Sequence, residues 1–169
     1  MAKFIITGGK KLAGEFLISG NKNAALPILT ATVLTDDECV IRNLPQITDV
    51  ATMLALLADL GKTIEHADNG CVHVKGAITK SELADELVQK MRASILLLGP
   101  LLAKTGKASL GPPGGCVIGR RAVGTHFDAL TALGANIIGA KTITTPRFCI
   151  HAPARFFWMK FPSPPLKTP

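Results

Sequence analysis

A short pattern of leucines and glycine occurs twice in this chain and limits the folds that it can adopt. The pattern L-x-x-L-G-x-x-I covers Leu57–Ile64 and recurs at Leu130–Ile137. In each copy an apolar helix end meets a glycine, the common helix stop, and the chain is then expected to turn into a strand. Two copies of one such unit predict an α/β fold built of repeated β–α units.

The same periodicities predict individual elements. Residues 48–60 carry apolar side chains at helical spacing, which predicts a helix with Thr48 as its N-cap and Gly61 as its stop. A second helix is predicted over Ser81–Leu98, with acidic residues in its first turns. Strands are predicted by alternation at Gly14–Ile18, Cys39–Arg42 and Cys71–Val74.

Composition favours one cytoplasmic domain. The chain has 169 residues, of which 47% are hydrophobic and 18% charged, and this is typical of a soluble globular protein. The longest apolar run, Ala93–Ala103, contains Gly99 and Pro100 and is far below the ~20 residues of a membrane span, so a buried helix is expected. The four cysteines lack metal-type spacing and are expected to be reduced thiols, with no metal site.

The formal charge of +7 argues against a nucleic-acid partner because of where it lies. Five of the basic residues and none of the acidic ones follow position 140, and no basic patch with interleaved aromatic residues occurs before it. Neither nucleic acid nor a membrane is therefore an expected partner.

One cysteine lies in a loop suited to reactive chemistry. In Pro112–Arg121, Cys116 follows two glycines and precedes Arg120 and Arg121. Glycines let a ligand approach the backbone, and arginines stabilise both a thiolate and a bound anion. The alternative is a buried structural cysteine beside a solvated arginine pair.

A second candidate segment is Ser19–Leu29, which places Lys22 and Asn23 where a strand-like run meets a helical one. A lysine at such a turn can reach an anion near the helix N-terminus. The alternative is a surface lysine followed by an asparagine N-cap. Arg92, within Lys90–Ile95, is the third candidate.

Together these segments resemble the enolpyruvyl transferases, and among them those that act on UDP-N-acetylglucosamine. The resemblance runs from about Lys3 to about Gly139. It implies an inside-out α/β barrel domain, here incomplete, and a cleft between two domains. Residues 1–21 then correspond to strands of the family's second domain, residues 22–140 to part of the first domain, and residues 141–169 to a proline-rich basic tail.

The resemblance also implies chemistry. Enolpyruvyl is transferred from phosphoenolpyruvate to the 3-hydroxyl of UDP-N-acetylglucosamine, and no cofactor is expected. Cys116 matches the cysteine that forms an adduct with phosphoenolpyruvate and is alkylated by fosfomycin. Arg121 and Arg92 match residues that hold phosphoenolpyruvate, Lys22 matches a lysine near both substrates, and Asn23 matches a residue that binds the sugar nucleotide. Gly124 stands where the family has an aspartate that helps recognise uracil.

The tail departs from the family. Reading the codons of Trp158–Lys160 in a shifted frame gives acidic residues like the family's continuation, so the tail is interpreted as out of frame; a polyproline ligand or linker is the alternative. Little structure is expected there beyond a short strand near Ile143 or at Cys149–His151, and deletion of residues 142–169 is expected to leave thermal behaviour unchanged. The side chains of Ile95, Leu97, Leu98 and Leu101 are expected to be incompletely covered.

Two functional hypotheses follow. The chain is either this transferase or an inactive fragment of it. The related shikimate-pathway transferase shares the fold but lacks a cysteine loop of this kind, so Cys116 argues against it.

Overall fold

The computed structural model of the chain describes residues 3–68, 70–114, 123–138 and 148–151. Within these residues the α-helices are α1 (Lys22–Ala31), α2 (Thr48–Asp59), α3 (Asp85–Val88), α4 (Leu98–Thr105) and α5 (Gly124–Ala132). The strands are β1 (Cys39–Ile41), β2 (Thr63–Ala67), β3 (Cys71–Lys75), β4 (Lys107–Leu110), β5 (Asn136–Ile138) and β6 (Phe148–His151). Two 3-10 helices, Thr32–Leu34 and Arg92–Leu97, follow α1 and precede α4.

The strands form two sheets of the same topology. The first has the order β1-β3-β2 and the second the order β4-β6-β5, and every pairing is antiparallel. Each sheet therefore belongs to a unit in which helix, strand, helix and two strands follow one another and the last strand lies in the middle. The predicted mixed α/β architecture with two repeated units is confirmed.

The turn predicted in both copies of the repeat has the same hydrogen bonds in each. Gly61 and Gly134 have φ values of 113° and 95°, a backbone conformation that favours glycine. Their amides donate to the carbonyl oxygens three residues earlier, at 3.0 and 2.8 Å, and the next amides donate five residues back, at 3.0 and 2.9 Å. These bonds satisfy the last helical carbonyls and direct the chain into β2 and β5.

Most local predictions around the first sheet are confirmed. The strands predicted at Cys39–Arg42 and Cys71–Val74 are β1 and β3, and the helix predicted from Thr48 is α2. The N-cap is Ile47 rather than Thr48, because the extended backbone of Ile47 (φ −129°, ψ 156°) already precedes the first turn. No strand forms at Gly14–Ile18, since no described strand pairs with that run.

The single helix predicted over Ser81–Leu98 is wrong. The Leu83 amide donates to the Ser109 carbonyl at 3.0 Å, and the Ser109 amide donates to the Ser81 carbonyl at 2.9 Å. These bonds keep the segment extended beside β4, so that only Asp85–Val88 is α-helical before a break at Met91. A pairing partner 27 residues away, Ser109 opposite Glu82, thus outweighs local helix propensity.

The first helices of the two units pack side by side in the core. α1 contacts the 3-10 helix Arg92–Leu97, and the 3-10 helix that follows α1 contacts α4. The N-terminal parts of the two helical segments therefore contact each other, and so do their C-terminal parts. The two segments run parallel. The predicted exposure of four side chains is wrong, because this packing buries Ile95, Leu97, Leu98 and Leu101.

Exposed apolar surface lies instead at the N-terminal end of the described chain. Residues 3–19 are exposed and form neither helix nor strand. Seven large apolar side chains there are 74–97% exposed: Phe4, Ile5, Ile6, Leu12, Phe16, Leu17 and Ile18. A surface of this size is typical of a segment that packs against another chain or domain.

Lys62 is a buried cation that connects the segment before β1 to the residue after β3. Its side chain is 4% exposed, and Nζ donates hydrogen bonds to the carbonyl oxygens of Thr35 and Gly76, at 2.5 and 2.6 Å. Burial lowers the pKa of Lys62, and the nearby Asp36 carboxylate partly opposes that effect. The lysine thereby satisfies two carbonyls that flank β1 and β3.

Part of the predicted tail belongs to the second sheet. β6 pairs with β4 on one side and β5 on the other, with Ile150 opposite both Ala108 and Ile137. The predicted strand at Cys149–His151 is confirmed within β6, but its central position contradicts the expectation that deletion of residues 142–169 is harmless. Residues 152–169, including the segment interpreted as out of frame, lie outside the described residues.

Among the described residues, no helix is long and apolar enough to span a membrane.

Candidate functional site

The first turn of α1 presents Lys22 and Asn23 to solvent. Asn21 is the N-cap, and its Oδ1 accepts a hydrogen bond from the Asn23 amide at 2.7 Å. The cap is therefore Asn21 and not Asn23, so the Asn23 side chain is not used in capping. Both predicted residues lie exposed at the beginning of a helix whose opposite face is buried.

Gly20 fixes the beginning of α1 to the loop before α2. Its amide donates to Asn43 Oδ1 at 3.1 Å, and a Cβ atom at Gly20 would lie 2.0 Å from the Asn43 carbonyl oxygen. Asn43 itself has a φ of 57°, the left-handed conformation that asparagine tolerates better than most residues. The backbone contact holds the first turns of α1 and α2 next to each other.

An ion pair joins these two turns. Lys22 Nζ lies 2.8 Å from Asp49 Oδ2, and the two side chains are 51% and 34% exposed. Sequence analysis did not identify Asp49 as a site residue. An acidic residue in the first turn of a helix is a recognisable signal, but only the fold shows that a lysine 27 positions earlier reaches it.

Arg92 occupies the same place in the second unit that Lys22 occupies in the first. It is the first residue of the 3-10 helix that leads into α4, and its side chain is half-buried. Because that helical segment runs parallel to α1, Lys22 and Arg92 lie at the same end of the packed pair. The structure thus brings two of the predicted cationic residues to one end of the core.

Gly114, two positions before Cys116 in the sequence, packs against the segment that precedes Arg92. A Cβ atom at Gly114 would lie 1.6 Å from the carbonyl oxygen of Gln89, and the Gly114 amide donates to the Val88 carbonyl at 3.2 Å. The contacts of Gly114 with Val88 and Gln89 therefore fix the chain two positions before Cys116. Gln89 in turn lies three positions before Arg92. Cys116, Arg120 and Arg121 themselves lie outside the described residues.

Val123 is buried, and Gly124 begins α5. A Cβ atom at Gly124 would meet no atom of the described residues within 4 Å. The position is thus open to a larger side chain. No steric requirement for glycine explains the residue found there.

The described residues thus place Lys22 and Arg92 at one end of the core and Gly114 against Gln89, in the segment before Arg92. A cleft of about 760 Å³ lies elsewhere, between α2 and the β2–β3 hairpin, and none of the predicted site residues lines it. Within residues 3–68, 70–114, 123–138 and 148–151 no cluster of three or more His, Cys, Asp or Glu side chains could hold a metal ion.

Sequence comparison identifies related proteins. The profile of the family described as EPSP synthase (3-phosphoshikimate 1-carboxyvinyltransferase) matches residues 6–160, beyond the expected end of the resemblance at Gly139. UDP-N-acetylglucosamine 1-carboxyvinyltransferase of Methylacidiphilum infernorum is 50% identical over 137 residues, which cover 81% of this chain and 32% of the relative. The enzyme of that name from Cellvibrio japonicus is 51% identical over 138 residues, 81% of this chain and 33% of the relative. The chain spans about a third of the length of these relatives.

Structural comparison finds the same fold in two solved proteins. The enolpyruvyl transferase NikO of Streptomyces tendae matches 86% of this chain and 31% of its own, with a TM-score of 0.68 and 21% identity. EPSP synthase of Acinetobacter baumannii matches 82% of this chain and 32% of its own, with a TM-score of 0.60 and 20% identity. At these identities the similarity concerns the fold alone.

Proposed function

Because the chain belongs to the EPSP synthase family of carboxyvinyl transferases, we propose that it is part of a UDP-N-acetylglucosamine 1-carboxyvinyltransferase. The observation that carries the proposal is the identity of about half the residues over 137 positions to relatives of that name. The proposed reaction transfers enolpyruvyl from phosphoenolpyruvate to the 3-hydroxyl of UDP-N-acetylglucosamine. It belongs to peptidoglycan biosynthesis in the cytoplasm, and through the cell wall it supports cell shape and division.

The proposed residue roles follow from charge. The hydroxyl oxygen adds to C2 of phosphoenolpyruvate while C3 gains a proton, and loss of phosphate and a C3 proton then yields the enol ether. Lys22, Arg92 and Arg121 neutralise the phosphate and carboxylate of a substrate with several negative charges. Cys116 forms the adduct with phosphoenolpyruvate, and its Sγ atom is alkylated by fosfomycin. Asn23 contacts the sugar nucleotide.

The alternative is that the 169-residue chain does not catalyse the transfer by itself. It spans about a third of the relatives' length. Transfer requires both substrates to be held in reacting geometry, and the family places further acid–base groups in the portion that this chain does not match. We therefore expect the isolated chain to be inactive.

The proposal can be tested with the chain alone and with a chimera. The chimera joins residues 1–138 to the remaining sequence of the Methylacidiphilum infernorum relative. We expect phosphate release that depends on both substrates from the chimera and none above background from the chain alone. Cys116→Ser should lower the rate of the chimera by at least about a hundredfold, whereas Cys71→Ser, at a half-buried free thiol, should have little effect.

An inactive chimera beside an active relative would contradict the proposed function. So would a chimera that accepts shikimate 3-phosphate in place of the sugar nucleotide. Substrate-dependent phosphate release by the chain alone, sensitive to Cys116→Ser, would support the transferase and eliminate the inactive-fragment alternative.

Gly124 offers a gain-of-function test of nucleotide recognition. Gly124→Asp in the chimera places a carboxylate at the beginning of α5, where space is open. A charged hydrogen bond to the uracil should lower KM for UDP-N-acetylglucosamine about tenfold with little change in kcat. Gly124→Ala is the matched control, because it adds the Cβ atom and helix propensity without an acceptor. Equal KM values for the alanine and aspartate variants would rule out a role for this position in recognition.

A further inference from the structure

The ion pair between Lys22 and Asp49 lies at the end of the core where the anion site is proposed. Its two atoms are 2.8 Å apart, and roughly half of the Lys22 side chain is exposed. Water and small anions can therefore reach the ammonium group while it is paired.

The two partners do not benefit equally from the helices that carry them. Asp49 is in the first turn of α2, where the positive end of the helix dipole stabilises a carboxylate. Lys22 is the first residue of α1, where the same effect disfavours an ammonium group. Asp49 is thus well placed without Lys22, whereas Lys22 depends on a nearby negative group. An arriving anion can take over the role of Asp49.

The backbone, and not the ion pair, sets the distance between the two helices. Gly20 packs against the Asn43 carbonyl, and the Gly20 amide donates to Asn43 Oδ1. Removal of the Asp49 charge should therefore leave the two first turns in place.

We propose that Asp49 is a positioning residue that holds the Lys22 ammonium at the anion site and releases it to the phosphate group of phosphoenolpyruvate. This inference rests on the proposed function, which assigns Lys22 to that substrate. The carboxylate orients Lys22 in the ligand-free chain, and it also weakens anion binding because the anion must displace it. No covalent bond forms or breaks in this exchange.

The test compares acylation of Lys22 in the 169-residue chain and its variants. Peptide mass spectrometry measures the Lys22 acylation rate at low ionic strength while phosphoenolpyruvate is titrated. Without ligand, Asp49→Asn should be acylated at Lys22 at least about twofold faster than the wild type, because the partner is gone. The phosphoenolpyruvate concentration that gives half-protection should fall about two- to fivefold in the same variant.

Two variants serve as controls. Asp59→Asn removes a comparable pair, Lys80–Asp59 at 2.6 Å, from the opposite end of α2, and it should change neither Lys22 value. Asp49→Glu keeps the negative charge and should return the half-protection concentration toward that of the wild type. Circular dichroism melting of each variant checks that the fold is retained.

The outcomes separate the two proposals. Equal or higher half-protection concentrations in Asp49→Asn would overturn the displacement inference, since a merely structural partner weakens binding when it is lost. Faster acylation in Asp49→Asn without protection of either protein by phosphoenolpyruvate would mean that the proposed substrate assignment of Lys22 fails for this chain. An unchanged acylation rate without ligand would show that the ion pair does not form in solution, and the inference would fall with it.

Discussion

A chain that ends at Ile138 should lose the stability of its second unit, whereas a chain that ends at His151 should keep it. The difference is β6, the central strand of the second sheet, which pairs with four residues of β4 and three of β5. Without it β4 and β5 lose every hydrogen bond of the second sheet, although β4 keeps the bonds between Ser109 and the segment Ser81–Leu83. The freed backbone groups lose the hydrogen bonds that offset their removal from water. Because each buried unsatisfied group costs about 1–3 kcal/mol, the free energy of unfolding should fall by about 3 kcal/mol or more.

Urea unfolding followed by circular dichroism measures this difference, and hydrogen exchange locates it. Amides of β4 should lose protection in the chain that ends at Ile138, while amides of β3 in the first sheet act as an internal reference. The chain that ends at His151 is the matched control because it keeps every described residue of β6. Equal unfolding free energies for the two truncated chains would show that the second sheet does not contribute to folding in solution.

Gly114→Ala should disturb the fold and the cysteine loop together. The added Cβ atom would lie 1.6 Å from the Gln89 carbonyl oxygen and 2.4 Å from its carbonyl carbon, so the backbone at the end of α3 must move. Overpacking of this kind typically costs about 1–3 kcal/mol. Because Cys116 is two positions away, its rate of labelling by a thiol reagent at neutral pH should change as well.

Gly99→Ala is the control for this substitution. Gly99 lies in α4, and a Cβ atom there meets nothing within 4 Å. Alanine should therefore leave stability unchanged or raise it by up to about 1 kcal/mol through helix propensity. Thermal melting and the labelling rates of Cys116, Cys39 and Cys71 should be recorded for both variants. If both variants retain wild-type melting temperatures and Cys116 rates, the contact between Gly114 and Gln89 is not a constraint on the loop.

Local sequence patterns correctly predicted the helices, strands and turns that depend on interactions between neighbouring residues. The glycine stops at Gly61 and Gly134 were visible in the sequence because a helix C-terminus needs a residue that tolerates positive φ, and the chain forms both turns as expected. The same holds for α2 and for the first sheet, where apolar spacing matches the buried faces. The helix predicted over Ser81–Leu98 failed because the hydrogen bonds to Ser109 come from a distant strand.

For the candidate site, too, some features could be predicted from the sequence and others could not. Lys22 and Arg92 could be selected from the sequence because each opens a helical run beside other suggestive residues. Their common location could not, since it depends on the parallel packing of two helical segments about seventy positions apart. Asp49 was missed for the same reason: its pairing with Lys22 arises from the contact between Gly20 and Asn43 that aligns the two first turns.

The sequence by itself determined the repeated unit, the helix stops, the strands at Cys39–Arg42 and Cys71–Val74, and the residue types available for anion chemistry. These features depend on backbone conformation and apolar periodicity within about a dozen residues. The tertiary structure decided that the last strand of each unit lies in the middle of its sheet, that Ser81–Leu83 is extended, and that Lys22 is paired with Asp49. Those features depend on contacts between distant segments, whose energies exceed local propensities once the core is packed.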